Sequence, residues 1–380
     1  MRIEGDWLTS AATQAVCRAI TAGGFQALFV GGCVRNALLN MPVADIDLAS
    51  DAPPQTVSDL AEKAGLKVVP TGIDHGTVTV IAGGVPHEVT TFRRDVATDG
   101  RRAVVAYSGD IAEDAARRDF TMNALYALPD GQVIDPLGGL PDLVARHVRF
   151  VGDAERRIRE DYLRILRFFR FHAIYGDPAG GIDAEGLAAC AALSAGIETL
   201  SAERIGAEMR KLLAAADPAP ALAAMAQAGV LAQVLPGADA RPLAPLVHLE
   251  GDLAPSWLRR LAVLGGEDVS ARWRLSRQDS RDLALVKDAL GDLSSPAALG
   301  YRLKPALATD VILARAALFE ADPPPDWRAE IARGAAARFP VRSADLMPAL
   351  QGAALGARLK ALEQHWLQTG LRLGRDDLLG

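Results

Sequence analysis

Over the first 145 residues the apolar positions come in short bursts punctuated by Gly, Pro and Asp. The stretches 26–30 (QALFV), 46–48, 67–69, 77–81 and 87–92 are alternating or β-branched. They predict five strands of one small mixed sheet. Segments 10–22 and 54–64 have helical composition, the second with proline early, where a helix start tolerates it. Both are expected to pack on the sheet. From residue 146 the apolar spacing changes to three and four within long Ala, Leu and Arg stretches, broken by Pro or Gly near 177–181, 217–220, 236–245, 295–305 and 323–325. The expected fold class is therefore α+β. The expected division is a mixed α/β domain over 1–145, a first helical segment over 146–215 and a further helical region over 216–380; no repeat of fixed period is read in the sequence.

Composition narrows this picture. The 380 residues are 50% hydrophobic and only 5% aromatic, which suits a soluble, cored chain of two or three domains. No run approaches the ~20 apolar residues a bilayer requires, and MRIEGDWLTS carries acids where a secretory signal would not. The expectation is a cytoplasmic protein with no membrane partner. Cys17, Cys33 and Cys190 form no CxxC pair, so they read as buried hydrophobes rather than disulfide or zinc ligands. None of the six histidines is followed by Asp or lies in HExxH spacing, which argues against a histidine-based metal centre.

Chemistry concentrates in two places. Gly31-Gly32-Cys33-Val34-Arg35-Asn36 is followed by Asp45-Ile46-Asp47-Leu48. Carboxylates at i and i+2 of a strand share a face, with Cα atoms ~6.6 Å apart at ~3.3 Å per residue. They can reach a shared pair of divalent ions, and such a pair can hold a triphosphate and activate an attacking hydroxyl. The glycines let backbone amides approach phosphate oxygens, and Arg35 adds a forked cation beside them. The second place is Arg117-Arg118-Asp119-Phe120-Thr121-Met122-Asn123-Ala124.

The order of GG, VR and DxD resembles the nucleotidyltransferase superfamily that includes DNA polymerase beta. With RRDFTMNALY, DPLGG (135–139) and EDYLRILRFFRF (160–171) following in order, residues ~24 to ~175 resemble more narrowly the bacterial tRNA nucleotidyltransferases that add CCA, together with the related poly(A) polymerases. A weaker likeness covers 343–379. The resemblance implies a polymerase-beta-like head, tRNA 3′ ends as acceptor, and CTP and ATP as donors. It implies that Asp45 and Asp47 bind catalytic magnesium, that Gly31, Gly32 and Arg35 hold the triphosphate, and that Asp119 with Arg118 contacts the ribose hydroxyls. Asn123 and Arg167 belong to the same nucleotide-binding set. A carboxylate bridging two hydroxyls loses a partner when one is missing, at a cost of about 1–3 kcal/mol if buried.

Base choice is expected in Glu160-Asp161-Tyr162-Leu163-Arg164. At i and i+3 of a helix, Asp161 and Arg164 would set an acceptor beside a forked donor. Cytosine and adenine both offer an amine next to a ring acceptor; uracil and guanine offer the reverse. Glu88, in a strand-like run, is the candidate third metal ligand. Residues 93–108 lack clear periodicity and read as a mobile loop between strand and helix. In two respects the chain departs from the family pattern. Asn36 stands where many relatives have Asp, and no HD pair supports a phosphohydrolase domain. The stretch 72–80 (GIDHGTVTV) favours CCA addition over poly(A) addition, while CC-only or A-only addition, or a non-catalytic tRNA-binding protein, are the alternatives.

The net charge of −6 argues, as an average, against nucleic acid. Locally it does not. Between 146 and 172 eight Arg face four acids, and between 256 and 281 six Arg face three, with Trp257 and Trp273 interleaved. Arg259, Arg260, Arg272, Arg274 and Arg277 are the expected RNA contacts.

Overall fold

A computed structural model of the chain describes residues 1–70, 72–73, 76–99 and 102–380, with side chains for all of these except 95–99 and 102–105. The chain divides into two compact units, Met1–Leu200 and Ser201–Gly380. The first unites the expected mixed domain with residues 146–200 of the first expected helical segment.

Among the described residues nine strands lie in the first unit: β1 (Leu28–Val30), β2 (Asp47–Ser50), β3 (Lys67–Val69), β4 (Thr77–Ala82), β5 (Val85–Thr91), β6 (Arg93–Asp99), β7 (Arg102–Tyr107), β8 (Tyr126–Ala127) and β9 (Val133–Ile134). Seven of them form one sheet in the order β3-β4-β5-β2-β1-β8-β9. All its pairings are antiparallel except β2 with β5, which is parallel and sets Asp47 opposite Glu88. The five expected strands are all present; β8 and β9, two residues each, are too short for periodicity to reveal. Helices Ala11–Thr21 and Pro54–Lys63 bury Val16, Ile20, Val57 and Ala61 as their spacing demands.

The expected loop at 93–108 is instead an antiparallel ribbon of β6 and β7, with a shift in register between Asp95 and Ala97. The bulge interrupts alternation, which is why the strands did not read as strands. Residues 100 and 101, like Asp74 and His75 of the 72–80 motif, lie outside the described residues.

Helix Ile111–Ala116 and a 3₁₀ turn at Thr121–Asn123 lie between β7 and β8, and helices Ala154–Glu160 and Leu163–Tyr175 follow β9. The last is fastened by rings. Phe120 meets Phe171 at 4.8 Å and Phe150 at 5.0 Å between centroids, and Phe150 stacks on Phe168 at 5.3 Å. Each such side chain contributes roughly 1.5–3 kcal/mol by burial.

The second unit is built of helices. Pro296–Leu318 is kinked at Lys304 (φ 67°), whose backbone is constrained by the following Pro305. Near its start it crosses Trp327–Ala336 so closely that a Cβ on Gly334 would fall 1.9 Å from the carbonyl oxygen of Ala297, and one on Gly300 2.2 Å from that of Ile331. Among the described residues no helix is long and apolar enough to cross a membrane.

Candidate functional site

Strand β1 is fully buried and ends at Gly31, whose φ of 68° and ψ of −117° suit glycine alone. A Cβ there would stand 3.3 Å from Nη1 of Arg118. The chain then enters helix Gly32–Leu38. Cys33, buried, directs its thiol to the carbonyls of Val30 (3.4 Å) and Asp47 (3.6 Å), tying the glycine turn to β2. The Asp45, Ile46, Asp47 sequence alternates exposed, buried, half-buried. Ile46 anchors the backbone between them, and Asp45 lies near enough for its charge to act on the Asp47 carboxyl.

Across the parallel pairing Glu88 lies exposed opposite Asp47. The Asp47 carboxyl is pushed up to about 6, first by burial and then by Glu88 and Asp45, against the pull of Arg118. Three hard oxygen donors that repel one another are a donor set suited to Mg²⁺ or Mn²⁺. Among the described residues no three such side chains already converge on one point.

Around this cluster the arginines are individually fastened. Arg35, buried, donates from Nε (3.1 Å) and Nη2 (2.9 Å) to Asn36 Oδ1, from Nη2 to Tyr175 Oη (2.7 Å), and from Nη1 to Asn123 Oδ1. Asn123 Nδ2 in turn donates to Asp119 Oδ1 at 2.8 Å, and Arg167 donates to Asp119 Oδ2 from Nε at 2.8 Å and Nη2 at 2.5 Å. One hydrogen-bonded chain thus runs Arg35–Asn123–Asp119–Arg167. Burial alone would raise the Asp119 carboxyl, but Arg167 and its other donors hold it below the usual range.

Arg118 takes a separate path. It donates to Asp114 Oδ2 (Nη2, 2.9 Å) and to Tyr126 Oη (Nε, 3.1 Å), while the Tyr126 hydroxyl donates to the same Asp114 oxygen at 2.6 Å. Asp114 also accepts from the Arg93 amide at 3.3 Å, joining Arg118 to the root of β6. Burial works against the Arg118 charge, yet Tyr126 and Asp114 outweigh it and raise its pKa. The neighbours Arg118 and Asp119 therefore point into different networks.

The base-choice motif differs from its sequence reading. Asp161 is not on a helix with Arg164; it occupies an extended break (φ −156°, ψ 106°) between Ala154–Glu160 and Leu163–Tyr175. The reason is local capping: its Oδ1 accepts the Leu163 amide at 3.1 Å. Arg164, on the first turn, donates Nη1 to Glu160 Oε2 at 2.5 Å and to the Arg157 carbonyl at 2.7 Å, and Nη2 to the Arg117 carbonyl at 3.3 Å. Glu160 also accepts from Arg157 at 2.8 Å.

Two expected RNA contacts are overturned. Arg259 and Arg260 are 3% and 1% exposed. Arg259 pairs with Glu250 (2.7 Å) and Asp310 (3.1 Å); Arg260 pairs with Glu250 (2.7 Å) and donates to the carbonyls of Leu213, Ala215 and Ala216. Both serve the core of the second unit, as does Trp273, fully buried with its indole N–H on the Val234 carbonyl at 3.0 Å. Trp257 is half-buried beneath the guanidinium of Arg210. Arg272, Arg274 and Arg277 are exposed, Arg274 lying 3.5 Å from Glu203.

Sequence reasoning missed Asp114, Tyr126, Arg157 and Tyr175, and it gave Glu160, part of the expected base-choice motif, no role of its own. The i,i+4 spacing of Asp114 and Arg118 carried a visible signal; the 140-residue separation of Arg35 and Tyr175 carried none.

Residues 27–149 match the family model described as Poly A polymerase head domain, and residues 181–241 that described as Probable RNA and SrmB-binding site of polymerase A. The chain is 38% identical over 283 residues to the CCA-adding enzyme of Leuconostoc citreum, an alignment covering 70% of this chain and 68% of that one. To human mitochondrial CCA tRNA nucleotidyltransferase 1 it is 42% identical over 184 residues, 48% of this chain and 42% of that one. Its fold is similar to the crystal structure of the Bacillus stearothermophilus CCA-adding enzyme in complex with CTP, with TM-score 0.74, 29% identity, and 94% and 92% of the two chains covered. A likeness of fold alone extends to the Thermotoga maritima CCA-adding enzyme complexed with tRNA_CCA, with TM-score 0.66 and 18% identity over 96% and 92% of the chains.

Proposed function

The chain belongs to the family of CCA-adding tRNA nucleotidyltransferases, and from that membership we propose that it extends tRNA 3′ ends by C, C and A, from CTP and ATP, releasing pyrophosphate. The observation that carries this reading is the group of mutually repelling carboxylates after the glycine turn: Asp47 at the start of β2, Asp45 just before it, and Glu88 in register with Asp47.

Nucleotidyltransferases of this family use divalent ions, and here Asp45, Asp47 and Glu88 would hold two Mg²⁺. Such ions neutralise triphosphate charge and lower the pKa of the attacking 3′ hydroxyl. The protein supplies the rest. Gly31 and Gly32 offer backbone amides to the phosphates, with Arg35 beneath and Arg118 across the turn. Asp119, held by Arg167 and Asn123, presents its carboxylate toward the ribose. Asp161 accepts from, and Arg164 donates to, the amine and ring nitrogen shared by cytosine and adenine; Glu160 steadies Arg164 for that contact. Exposed Arg272, Arg274 and Arg277 are offered to tRNA phosphate, and the place of action is the cytoplasm.

The test incubates the protein and Mg²⁺ with tRNAs ending before CCA, after CC, and complete, each NTP offered separately. C, C and A should be added and addition should then stop. Long A tails would favour poly(A) polymerase; comparable uptake of UTP and GTP would end the base-choice assignment.

A further inference from the structure

Arg35 is a buried cation of an unusual kind. Its residue is 6% exposed, yet among the described residues every hydrogen-bond acceptor it meets is neutral: the amides of Asn36 and Asn123 and the phenol of Tyr175. The Tyr175 ring lies 4.0 Å from its Cζ and the Phe171 ring 5.1 Å. Burying a charge without a counter-ion is unfavourable, and desolvation accordingly lowers the pKa of Arg35. The Asp119 carboxylate, which accepts two bonds from Arg167, attracts Arg35 without being hydrogen-bonded to it and offsets the desolvation only in part.

Asn36 is the residue whose identity matters. An aspartate could accept the same two bonds, but it would neutralise the guanidinium. It would also set a carboxylate oxygen against the Pro42 carbonyl, where Asn36 Nδ2 now donates at 2.8 Å. Asparagine holds Arg35 in place and leaves its charge unspent. Tyr175, last residue of helix Leu163–Tyr175, grips the opposite side with hydroxyl and ring together.

We propose that Asn36 and Tyr175 are positioning residues that keep Arg35 as a buried cation hydrogen-bonded to neutral groups only, so that its field is reserved for the triphosphate and raises affinity equally for CTP and ATP. This rests on the reading that Arg35 contacts the triphosphate. The phosphates become the counter-ion the fold omits, so the benefit belongs to nucleotide binding rather than to base choice or to the chemical step.

The experiment measures kcat and KM for CTP and ATP on matched tRNA acceptors, and inhibition by inorganic tripolyphosphate, for wild type, Asn36→Asp, Tyr175→Phe and Arg35→Lys. Asn36→Asp should raise both KM values and the tripolyphosphate inhibition constant in parallel, by about tenfold, with kcat within about twofold. Tyr175→Phe keeps the ring and loses one acceptor, so the same parallel rise should be about threefold. If Asn36→Asp does not fold, Tyr175→Phe decides. Tripolyphosphate inhibition unchanged in the folded variants, or a KM rise confined to one nucleotide, overturns the proposal. Arg35→Lys separates the two levels. If it too leaves tripolyphosphate inhibition unchanged, the placement of Arg35 at the triphosphate fails; if it weakens inhibition while the other variants do not, only the role of Asn36 and Tyr175 falls.

Discussion

Buried arginine occurs in both units, and Arg259 and Arg260 in the second are buried in the opposite way to Arg35 in the first. Arg259 and Arg260 in the second unit are closed off by Glu250, Asp310 and three backbone carbonyls. In the first unit Arg35 hydrogen-bonds to neutral groups only, whereas half-buried Arg118 and Arg167 are ion-paired with Asp114 and Asp119. A guanidinium whose charge is satisfied from within holds a fold together; one left unsatisfied is available to a ligand. Neither density of arginine nor depth of burial separates these cases, whereas the chemical kind of the partner does.

The sharpest way to break this contrast starts at the ligand side. Asp45→Ala should reduce nucleotide addition by at least on the order of 10³-fold while leaving tRNA affinity within about twofold. Single-turnover extension and filter binding on the same preparations check both halves, and unchanged turnover would remove the carboxylate from the metal site.

On the structural side, Arg260→Ala should destabilise the protein by about 3–5 kcal/mol, because Glu250 is left buried with a partner missing and three carbonyls lose their donor. Urea unfolding measures this. A variant as stable as wild type but weak on tRNA would restore Arg260 to the RNA surface.

For base choice, Asp161→Ala should relax discrimination against UTP and GTP by about tenfold with smaller loss of CTP binding. Competition between CTP and UTP in one reaction reads the ratio directly. A uniform loss for all four nucleotides would leave Asp161 only its capping role at Leu163.

Exposed Arg277 should behave unlike either buried group. Arg277→Ala is expected to leave thermal stability unchanged and to lower the salt slope of tRNA binding by about 1. An unaltered slope would take Arg277 off the RNA path.

The smallest expected effect concerns pH. The Asp310 carboxyl is pushed up to about 6 by burial, which outweighs the pull of Arg259. Its folded pKa lies above the ordinary 3.8, so the folded state binds this proton more tightly. Its contribution to stability is full below about 4 and is lost as pH rises through about 6. Relative to Asp310→Asn, wild type should therefore gain stability between pH 7.5 and 5; parallel urea midpoints across that range would refute the shift.

Much of this was legible in the chain alone. Five strands, the head helices and the motifs follow from periodicity and spacing, because Ile46 and Leu48 are buried while Asp45 and Asp47 are not. What stayed hidden needed three dimensions. The position of Asp161 depends on a cap that competes with helix continuation, the β6–β7 ribbon on a bulge that scrambles alternation, and the burial of Arg259 and Arg260 on carboxylates 9 to 51 residues away. Local charge counts treated those two arginines like Arg277, since a sequence window shows no partners.

The crossing of Pro296–Leu318 and Trp327–Ala336 bears on how such a chain drifts over generations. Alanine-rich helices have little side-chain bulk of their own with which to exclude water, and at this crossing they compensate by bringing backbones together. At Gly300 and Gly334 the packing surface is the peptide group itself. Alanine can spread through the neighbouring positions at little penalty, but these two glycines set the distance on which that tolerance depends. Selection should therefore be most severe where the side chain is smallest: a single added methyl at 334 forces the helices apart and uncovers every alanine contact along the crossing at once.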